Sequence, residues 1–159
     1  MKTLKLSSII YLFVLLISVQ FATAQRLVNA SEVTPALLKE TCDNAYIEII
    51  EVKDTYIKIK NTYNVYLDID SSKRFVTFSS VYNLVEGASK KDALELVNKL
   101  NAEVALIKTY YSESTNTITY FYYFWTEGGF TQKSLISSLR LYKTALDLTL
   151  EKDTGKLIK

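Results

Sequence analysis

Residues 46–82, YIEIIEVKDTYIKIKNTYNVYLDIDSSKRFVTFSSVY, decide the fold, because apolar and polar side chains alternate along most of this stretch. A period of two is typical of strands that bury one face and leave the other face wetter. The alternation is clearest at Tyr56–Lys60 and at Tyr63–Asp70. Polar pairs at hairpin spacing separate the apolar runs: Lys53-Asp54, Asn61-Thr62 and Ser71-Ser72. The stretch therefore predicts an antiparallel meander of four strands.

A helix is predicted on either side of this meander. Thr34-Pro35 has the pattern of an N-cap followed by proline at the first helical position, and this short helix ends near Asp43-Asn44. Ser89 and Asp92 form an S-x-x-D capping pattern that opens a second helix. The apolar stripe of the second helix is predicted to contain Ala93, Leu94, Val97 and Leu100, with Asn101 placed to end it.

The last third of the chain predicts a hairpin and a long final helix. Strands are expected at Val104–Tyr111 and Thr117–Thr126, after which Gly128-Gly129 turns the chain into a helix that Thr131 caps and that runs to about Leu150. The apolar arc of this helix is wide: Leu135, Leu139, Leu141, Tyr142, Ala145, Leu146 and Leu148. The order α-β-β-β-β-α-β-β-α predicts an α+β fold, a mainly antiparallel sheet with three helices.

The N-terminal residues have the pattern of a signal peptide. Lys2 and Lys5 precede an apolar run from Ile9 to Val19, which is shorter than the roughly 20 residues of a membrane-spanning helix. Ala22-Thr23-Ala24 has small residues where signal peptidase requires them. We expect cleavage after Ala24 and a periplasmic or secreted protein, the alternative being an uncleaved anchor. The expected organisation is a signal peptide at 1–24, a short lead at 25–33, one domain at 34–151 and a frayed tail at 152–159.

Charge and composition exclude several classes of function. Removing Lys2 and Lys5 from the 19 basic residues leaves as many bases as the 17 acids, so the mature domain is nearly neutral. A neutral domain has no electrostatic attraction for phosphate backbones, which argues against nucleic acid as a partner.

The chain has no histidine and one cysteine, so it lacks the most common general base and a zinc ligand set. Cys42 is expected to be a buried, unpaired thiol. Asp68 and Asp70 share a predicted strand face, which a glycosidase or a calcium site could use, although such acids are more often solvated. We therefore expect no enzyme, no cofactor and no metal site.

Six consecutive aromatic residues, Tyr120 to Trp125, are the most unusual feature of the sequence. On a strand, one alternate set points to one face and the other set to the opposite face. Thr117 and Thr119 precede the set with Phe121, Tyr123 and Trp125, which indicates that this face begins wet. A central strand covered on both sides is one interpretation; the other is a partner surface with the candidate residues Tyr110, Phe121, Tyr123 and Trp125.

The second helix contains Ala93-Leu94-x-x-Val97-Asn98-x-x-Asn101, and after it come the hairpin, the turn Glu127-Gly128-Gly129-Phe130-Thr131 and the long final helix. In these features the chain resembles the YbjN family of bacterial sensory-transduction regulators. The resemblance covers approximately Thr34 to Glu151. The resemblance implies an α/β sandwich similar to type III secretion chaperones, which act by binding other polypeptides, and it implies no catalytic residues.

Two functions are compatible with these features. The first is a non-catalytic protein-binding, chaperone-like or regulatory module, whose partner is another protein or a second copy. The second is a carrier of a small ligand, with a tyrosine-rich pocket between the sheet and the final helix, under Tyr142. A partner surface would be exposed and nearly flat, whereas a carrier needs an internal cavity.

Overall fold

A six-stranded antiparallel sheet lies at the centre of the computed structural model, which describes residues 26–159. The predicted signal peptide lies outside the described residues. The strands are β1 (Leu27–Val28), β2 (Glu48–Val52), β3 (Tyr56–Asn61), β4 (Tyr63–Ile69), β5 (Phe75–Asn83), β6 (Lys108–Ser112), β7 (Thr117–Trp125) and β8 (Phe130–Thr131). The α-helices are α1 (Pro35–Asn44), α2 (Lys90–Glu103) and α3 (Gln132–Glu151).

The predicted meander of four strands is confirmed as β2 to β5, and the predicted α+β class with three helices is confirmed as well. The order in the sheet is β2-β3-β4-β5-β7-β6, so the second hairpin inserts β7 beside β5 and leaves β6 at the edge. The pairing of β5 with β7 is the longest in the sheet and runs from Phe75 opposite Trp125 to Asn83 opposite Thr117. This pairing brings the aromatic strand to an interior position of the sheet.

The helices begin where their capping residues predict. The Thr34 hydroxyl accepts the Leu37 N–H at 3.2 Å, and Ser89 and Asp92 form the reciprocal box at the start of α2. Thr131 and Ser134 do the same at the start of α3. Since these bonds satisfy backbone N–H groups that the first turn leaves free, the helix starts are determined locally.

All three helices pack on the same face of the central sheet. Their buried side chains form one core with the strand residues beneath them: Leu38, Cys42, Ala93, Leu96, Leu100, Leu135, Leu139, Tyr142 and Leu146 from the helices, and Ile57, Ile59, Val65, Leu67, Val76, Phe78, Ile118, Tyr120 and Phe124 from the sheet. The other face of the sheet carries no helix of the described chain. The protein is therefore a two-layer structure with one covered and one open sheet face.

Helix α2 is rotated relative to the predicted stripe. Leu94 is 47% exposed, whereas Leu96 is buried with Ala93 and Leu100. Asn101 does not end the helix, which continues to Glu103. Its side-chain amide instead donates to the Thr109 carbonyl and accepts the Thr109 N–H, both at 2.9 Å, and so fixes α2 to β6. Strand β6 begins at Lys108 rather than at the predicted Val104, because α2 continues to Glu103 and a short connection separates it from the strand.

The wide apolar arc of α3 is only partly covered. Leu135, Leu139, Tyr142, Ala145 and Leu146 are buried, as predicted for a helix on the sheet. Leu141 and Leu148, which widen the predicted arc, are exposed, so the buried stripe is narrower than the arc. Among the described residues, no helix combines the length and apolar character needed to cross a membrane.

The C-terminal tail is not frayed, contrary to the prediction. The Asp153 carboxylate accepts the N–H groups of Leu157 and Ile158 at 3.0 and 3.1 Å. Ile158 then pairs with Leu84 in an antiparallel bridge, and the Val85 N–H donates to the Leu157 carbonyl at 2.9 Å. The buried Asp153 carboxylate thus holds the loop in which the tail comes back beside β5. A pattern of apolar residues does not predict such a contact.

The predicted lead also contains an unpredicted pairing. Leu27 and Val28 of β1 pair with Thr131 and Phe130 of β8, next to the double glycine. At Gly129, φ is +87°, and an added Cβ would lie 2.9 Å from the Leu27 side chain. Glycine is required there both by the backbone conformation and by the close approach of Leu27.

Cys42 lies in the core on α1, as predicted, and is unpaired. Burial raises the pKa of its thiol to about 12, and the neighbouring Asp43 carboxylate adds to this effect. The thiolate is the reactive form of cysteine, so the thiol is chemically inert in the folded protein.

Candidate functional site

The pleat of β7 sends its aromatic side chains to two different environments. Tyr120 and Phe124 face the helices and are buried, and Phe124 stacks against Phe78 of β5 with ring centroids 5.9 Å apart. The Tyr142 hydroxyl of α3 donates to the Tyr120 carbonyl at 2.9 Å. This half of the aromatic run is core.

The other half lies on the open face of the sheet. Five residues from three neighbouring strands form what we call the aromatic face: Phe75, Tyr110, Phe121, Tyr123 and Trp125. Trp125, Tyr110 and Tyr123 remain 58%, 49% and 45% exposed. The interpretation of β7 as a strand covered on both sides is therefore wrong for this set.

The rings of the aromatic face form one continuous series of edge-to-face contacts. Successive ring centroids are separated by 5.8 Å for Trp125 and Phe75, 4.9 Å for Phe75 and Tyr123, 5.3 Å for Tyr123 and Phe121, and 5.8 Å for Phe121 and Tyr110. Such contacts hold each ring in place and contribute about 0.5–1.5 kcal/mol per pair beyond burial. The four residues that the sequence proposed as a partner surface are thus brought together, and Phe75 is an addition that pattern reasoning missed.

A shallow recess of about 320 Å³ lies beside these rings on the same open face. Short side chains form its floor, and an acid and three aromatic rings line its sides: Thr77, Ser79 and Thr119 below, with Asp68, Tyr110, Phe121 and Tyr123 around them. Thr117 and Thr119 are buried rather than wet, since larger neighbours such as Tyr110 and Val81 stand opposite Thr119 on the flanking strands.

Among residues 26–159, Asp68 is the only acid that lines this recess. Partial burial raises the pKa of its carboxyl, although a hydrogen bond from Ser79 works in the opposite direction. No lysine or arginine within residues 26–159 forms an ion pair with it, and the Lys58 ammonium on the adjacent strand lies over the Tyr66 ring, 4.9 Å from its centroid. The recess therefore contains an unpaired carboxyl group beside aromatic rings.

Asp70 does not share a site with Asp68. It lies in the turn after β4, where its carboxylate accepts the Ser72 N–H at 3.1 Å and also bonds the Ser72 hydroxyl. These bonds hold the pKa of the Asp70 carboxyl below its ordinary value. In the part of the chain that the structure describes, no three acids or cysteines converge in a way that could hold a metal ion.

The space beneath Tyr142, where a carrier would need its cavity, is filled by side chains. Tyr142 is buried, and its ring meets the edge of Phe78 at a centroid distance of 6.1 Å. Burial also raises the pKa of its hydroxyl. The contacts between α3 and the sheet are those of a packed core.

This architecture defines the class: a two-layer α+β protein whose sheet leaves an aromatic face open. The model of the YbjN family, described as "Putative bacterial sensory transduction regulator", matches residues 34–151. The chain therefore belongs to the YbjN family, as the resemblance in its sequence indicated. The crystal structure of YbjN from E. coli has a TM-score of 0.70 with this chain. The alignment covers 84% of this chain and 99% of that chain at 14% sequence identity, so the likeness shows the fold alone. No curated protein matches the chain.

Proposed function

We propose that the protein is a non-catalytic protein-binding module of a chaperone-like or regulatory kind, and that the aromatic face is its binding surface. The observation that carries the proposal is the series of five rings on the open face of the sheet. Tyrosine and tryptophan are enriched at binding hot spots, because they bury a large area at a low cost in conformational entropy. The description of the family as a regulator agrees with a protein that acts through partners.

The rigidity of the surface supports this proposal further. Four of the five residues of the aromatic face lie on the interior strands β5 and β7, and their rings contact one another edge to face. A pre-organised surface loses little side-chain entropy when a partner binds. The alternative, a carrier with a tyrosine-rich pocket under Tyr142, has no support from the packed contacts at that position.

The proposal extends to the place of action. The pattern of Lys2, Lys5, the apolar run and Ala22-Thr23-Ala24 supports export and cleavage after Ala24. The partner would then be a protein of the periplasm or of the cell exterior. Intact-mass analysis of the protein from the periplasmic fraction should give a chain that starts at Gln25. A full-length chain in the membrane fraction would contradict export.

Site-specific crosslinking tests the binding surface directly. A photo-reactive amino acid is placed at Trp125 in one variant and at Tyr46 in a matched control, because Tyr46 is 97% exposed but lies outside the aromatic face. Crosslinking in the native envelope should give a discrete product from position 125 that position 46 does not give. A product with twice the chain mass would identify a second copy as the partner. The same products from both positions, or none from either, would refute the proposed surface.

A further inference from the structure

The strand register places Asp68 in one row with the aromatic face. Asp68 stands opposite Thr77, and Thr77 stands opposite Tyr123. Neighbouring strands are about 4.8 Å apart, so the acid and the tyrosine stand roughly 10 Å apart on either side of a short side chain. In the next row, Ser79 separates Tyr66 from Phe121 in the same way. The recess is therefore a product of the register, with small residues in the middle strand between larger ones.

An unpaired acid at this position contributes nothing evident to the fold. Burial of a carboxylate without a cation opposes folding, and a neutral side chain of similar size would avoid that cost. The carboxyl of Asp70, in contrast, has a structural role in its turn. Asp68 stands between Tyr56 of β3 and Thr77 of β5, with the Ser79 hydroxyl beside it, and it lines the recess.

We infer that the partner inserts a lysine or arginine side chain into the recess lined by Asp68, Tyr110, Phe121 and Tyr123, while apolar side chains next to it pack on the aromatic face. This inference rests on the proposed function and adds the chemistry of the partner. A carboxylate attracts a cation by charge, and aromatic rings attract it through their faces. An anionic side chain would meet the Asp68 carboxylate and be repelled.

The nearby lysine side chains of the same sheet face do not line the recess. Lys58 lies over the Tyr66 ring, and Lys108 stands opposite Phe121 on the edge strand, where it is exposed. The domain has almost equal numbers of acids and bases, so a cationic partner would be selected by this local carboxylate rather than by net charge. A second copy of the chain is the competing occupant, and self-association in the test below would identify it.

Selection from a random seven-residue peptide library displayed on phage tests the inference. The targets are the wild-type protein, Asp68→Asn and the double variant Tyr123→Ser/Trp125→Ser. Wild type should select peptides with a lysine or arginine next to apolar residues. Asp68→Asn should keep the apolar preference and lose the cationic one, and the double variant should lose both. Circular dichroism and urea unfolding confirm that each variant is folded.

The selected peptide then gives a quantitative measurement. Trp125 is the only tryptophan of the chain, so its fluorescence reports binding at the aromatic face. Replacing the cationic residue of the peptide by norleucine should weaken binding to the wild type about tenfold, because a charged hydrogen bond is lost. The same replacement should change binding to Asp68→Asn by less than about twofold.

The outcomes separate the two proposals. If wild type and Asp68→Asn select the same peptides, the inference about the cation is wrong and the protein-binding function stands. If wild type and the double variant select the same peptides, or if no peptide is enriched on the wild type, both the inference and the proposed surface are refuted. Concentration-dependent self-association that Tyr123→Ser/Trp125→Ser abolishes and Asp68→Asn preserves would assign the surface to a second copy and overturn the inference.

Discussion

The two faces of the central sheet use similar side chains for opposite purposes. On β7, Tyr120 and Phe124 are buried on the face that the helices cover, whereas Tyr123 and Trp125 are about half exposed on the other face. The aromatic content of the two sets is the same, so hydrophobicity alone does not decide which set is core. The helices decide it, because all three pack on one face. Burial of an aromatic residue in a sheet is thus a property of the layer above it.

The strongest test of this difference introduces a charge on each face. Tyr120→Lys should cost at least about 3 kcal/mol in the free energy of unfolding, because an unpaired charge would be buried in the core. Tyr123→Lys should remain folded and lose about 1 kcal/mol or less. Urea unfolding followed by circular dichroism measures both. Equal destabilisation of the two variants would show that the open face is covered in solution.

A second test removes the hydrogen bonds that hold the C-terminal tail beside Leu84. Asp153→Ala removes the acceptor for the N–H groups of Leu157 and Ile158, and should cost about 2 kcal/mol. Hydrogen exchange at the Val85 amide should accelerate, because this amide donates to the Leu157 carbonyl. Asp153→Asn is the matched control, since its amide oxygen keeps one acceptor and the loss should be smaller. Unchanged exchange at Val85 in Asp153→Ala would contradict the docked tail.

A third test examines the contact between α3 and the sheet. Tyr142→Phe removes the hydrogen bond to the Tyr120 carbonyl and should destabilise the protein by about 1 kcal/mol. Tyr120→Phe is the matched control, because the Tyr120 hydroxyl bonds to no protein group in the described part of the chain. The control should change the free energy of unfolding by less than the test variant, or raise it. The reverse order would mean that the interior polar contacts differ from those in the structure.

The smallest expected effect concerns Asp68 on the open face. Because burial raises the pKa of its carboxyl above 3.8, the folded protein holds a proton where the unfolded chain has released it. Stability therefore falls as pH rises through the window from 3.8 to the raised pKa, and it remains lower at neutral pH. Asp68→Asn should raise the free energy of unfolding at neutral pH by up to about 0.5 kcal/mol. It should have no such effect below that window.

Asp70→Asn provides the control of opposite sign. Hydrogen bonds, chiefly from Ser72, lower the pKa of the Asp70 carboxyl, so its contribution is present above the ordinary aspartate pKa and lost as pH falls. This variant should be less stable than wild type at neutral pH. Urea unfolding at neutral pH and near the ordinary aspartate pKa compares both variants. A loss of stability in Asp68→Asn at neutral pH would show that the carboxylate stabilises the fold.

Most secondary structure could be predicted because its signals are local. The period of two in residues 46–82 marks the meander, and Thr34, Ser89 and Thr131 mark the helix starts through bonds to residues three positions away. Helix α2 shows the limit of such signals, because Leu96 is buried where the sequence predicted Leu94. Both residues are leucine on one amphipathic helix, and the packing of α2 in the folded domain decides which of them is buried.

The candidate site could be predicted only in part. The aromatic run identified Phe121, Tyr123 and Trp125, and the neighbouring hairpin identified Tyr110. Phe75 was missed, and Asp68 was considered only together with Asp70. Both lie far from the run in sequence and reach it through the pairing of β4, β5 and β7. An alternating strand shows which residues share a face, but it carries no information on which strand becomes its neighbour.

The sequence by itself determined the class of the fold, the helix caps, the two alternate sets of aromatic residues and the family to which the chain belongs. These properties depend on neighbours within a few residues or on motifs of fixed spacing. Tertiary structure alone decided which aromatic set is core, that the tail docks beside Leu84, and that Asp68 stands across Thr77 from Tyr123. Each of these depends on the order of strands and the side on which helices pack, and the chain settles both only when distant segments meet.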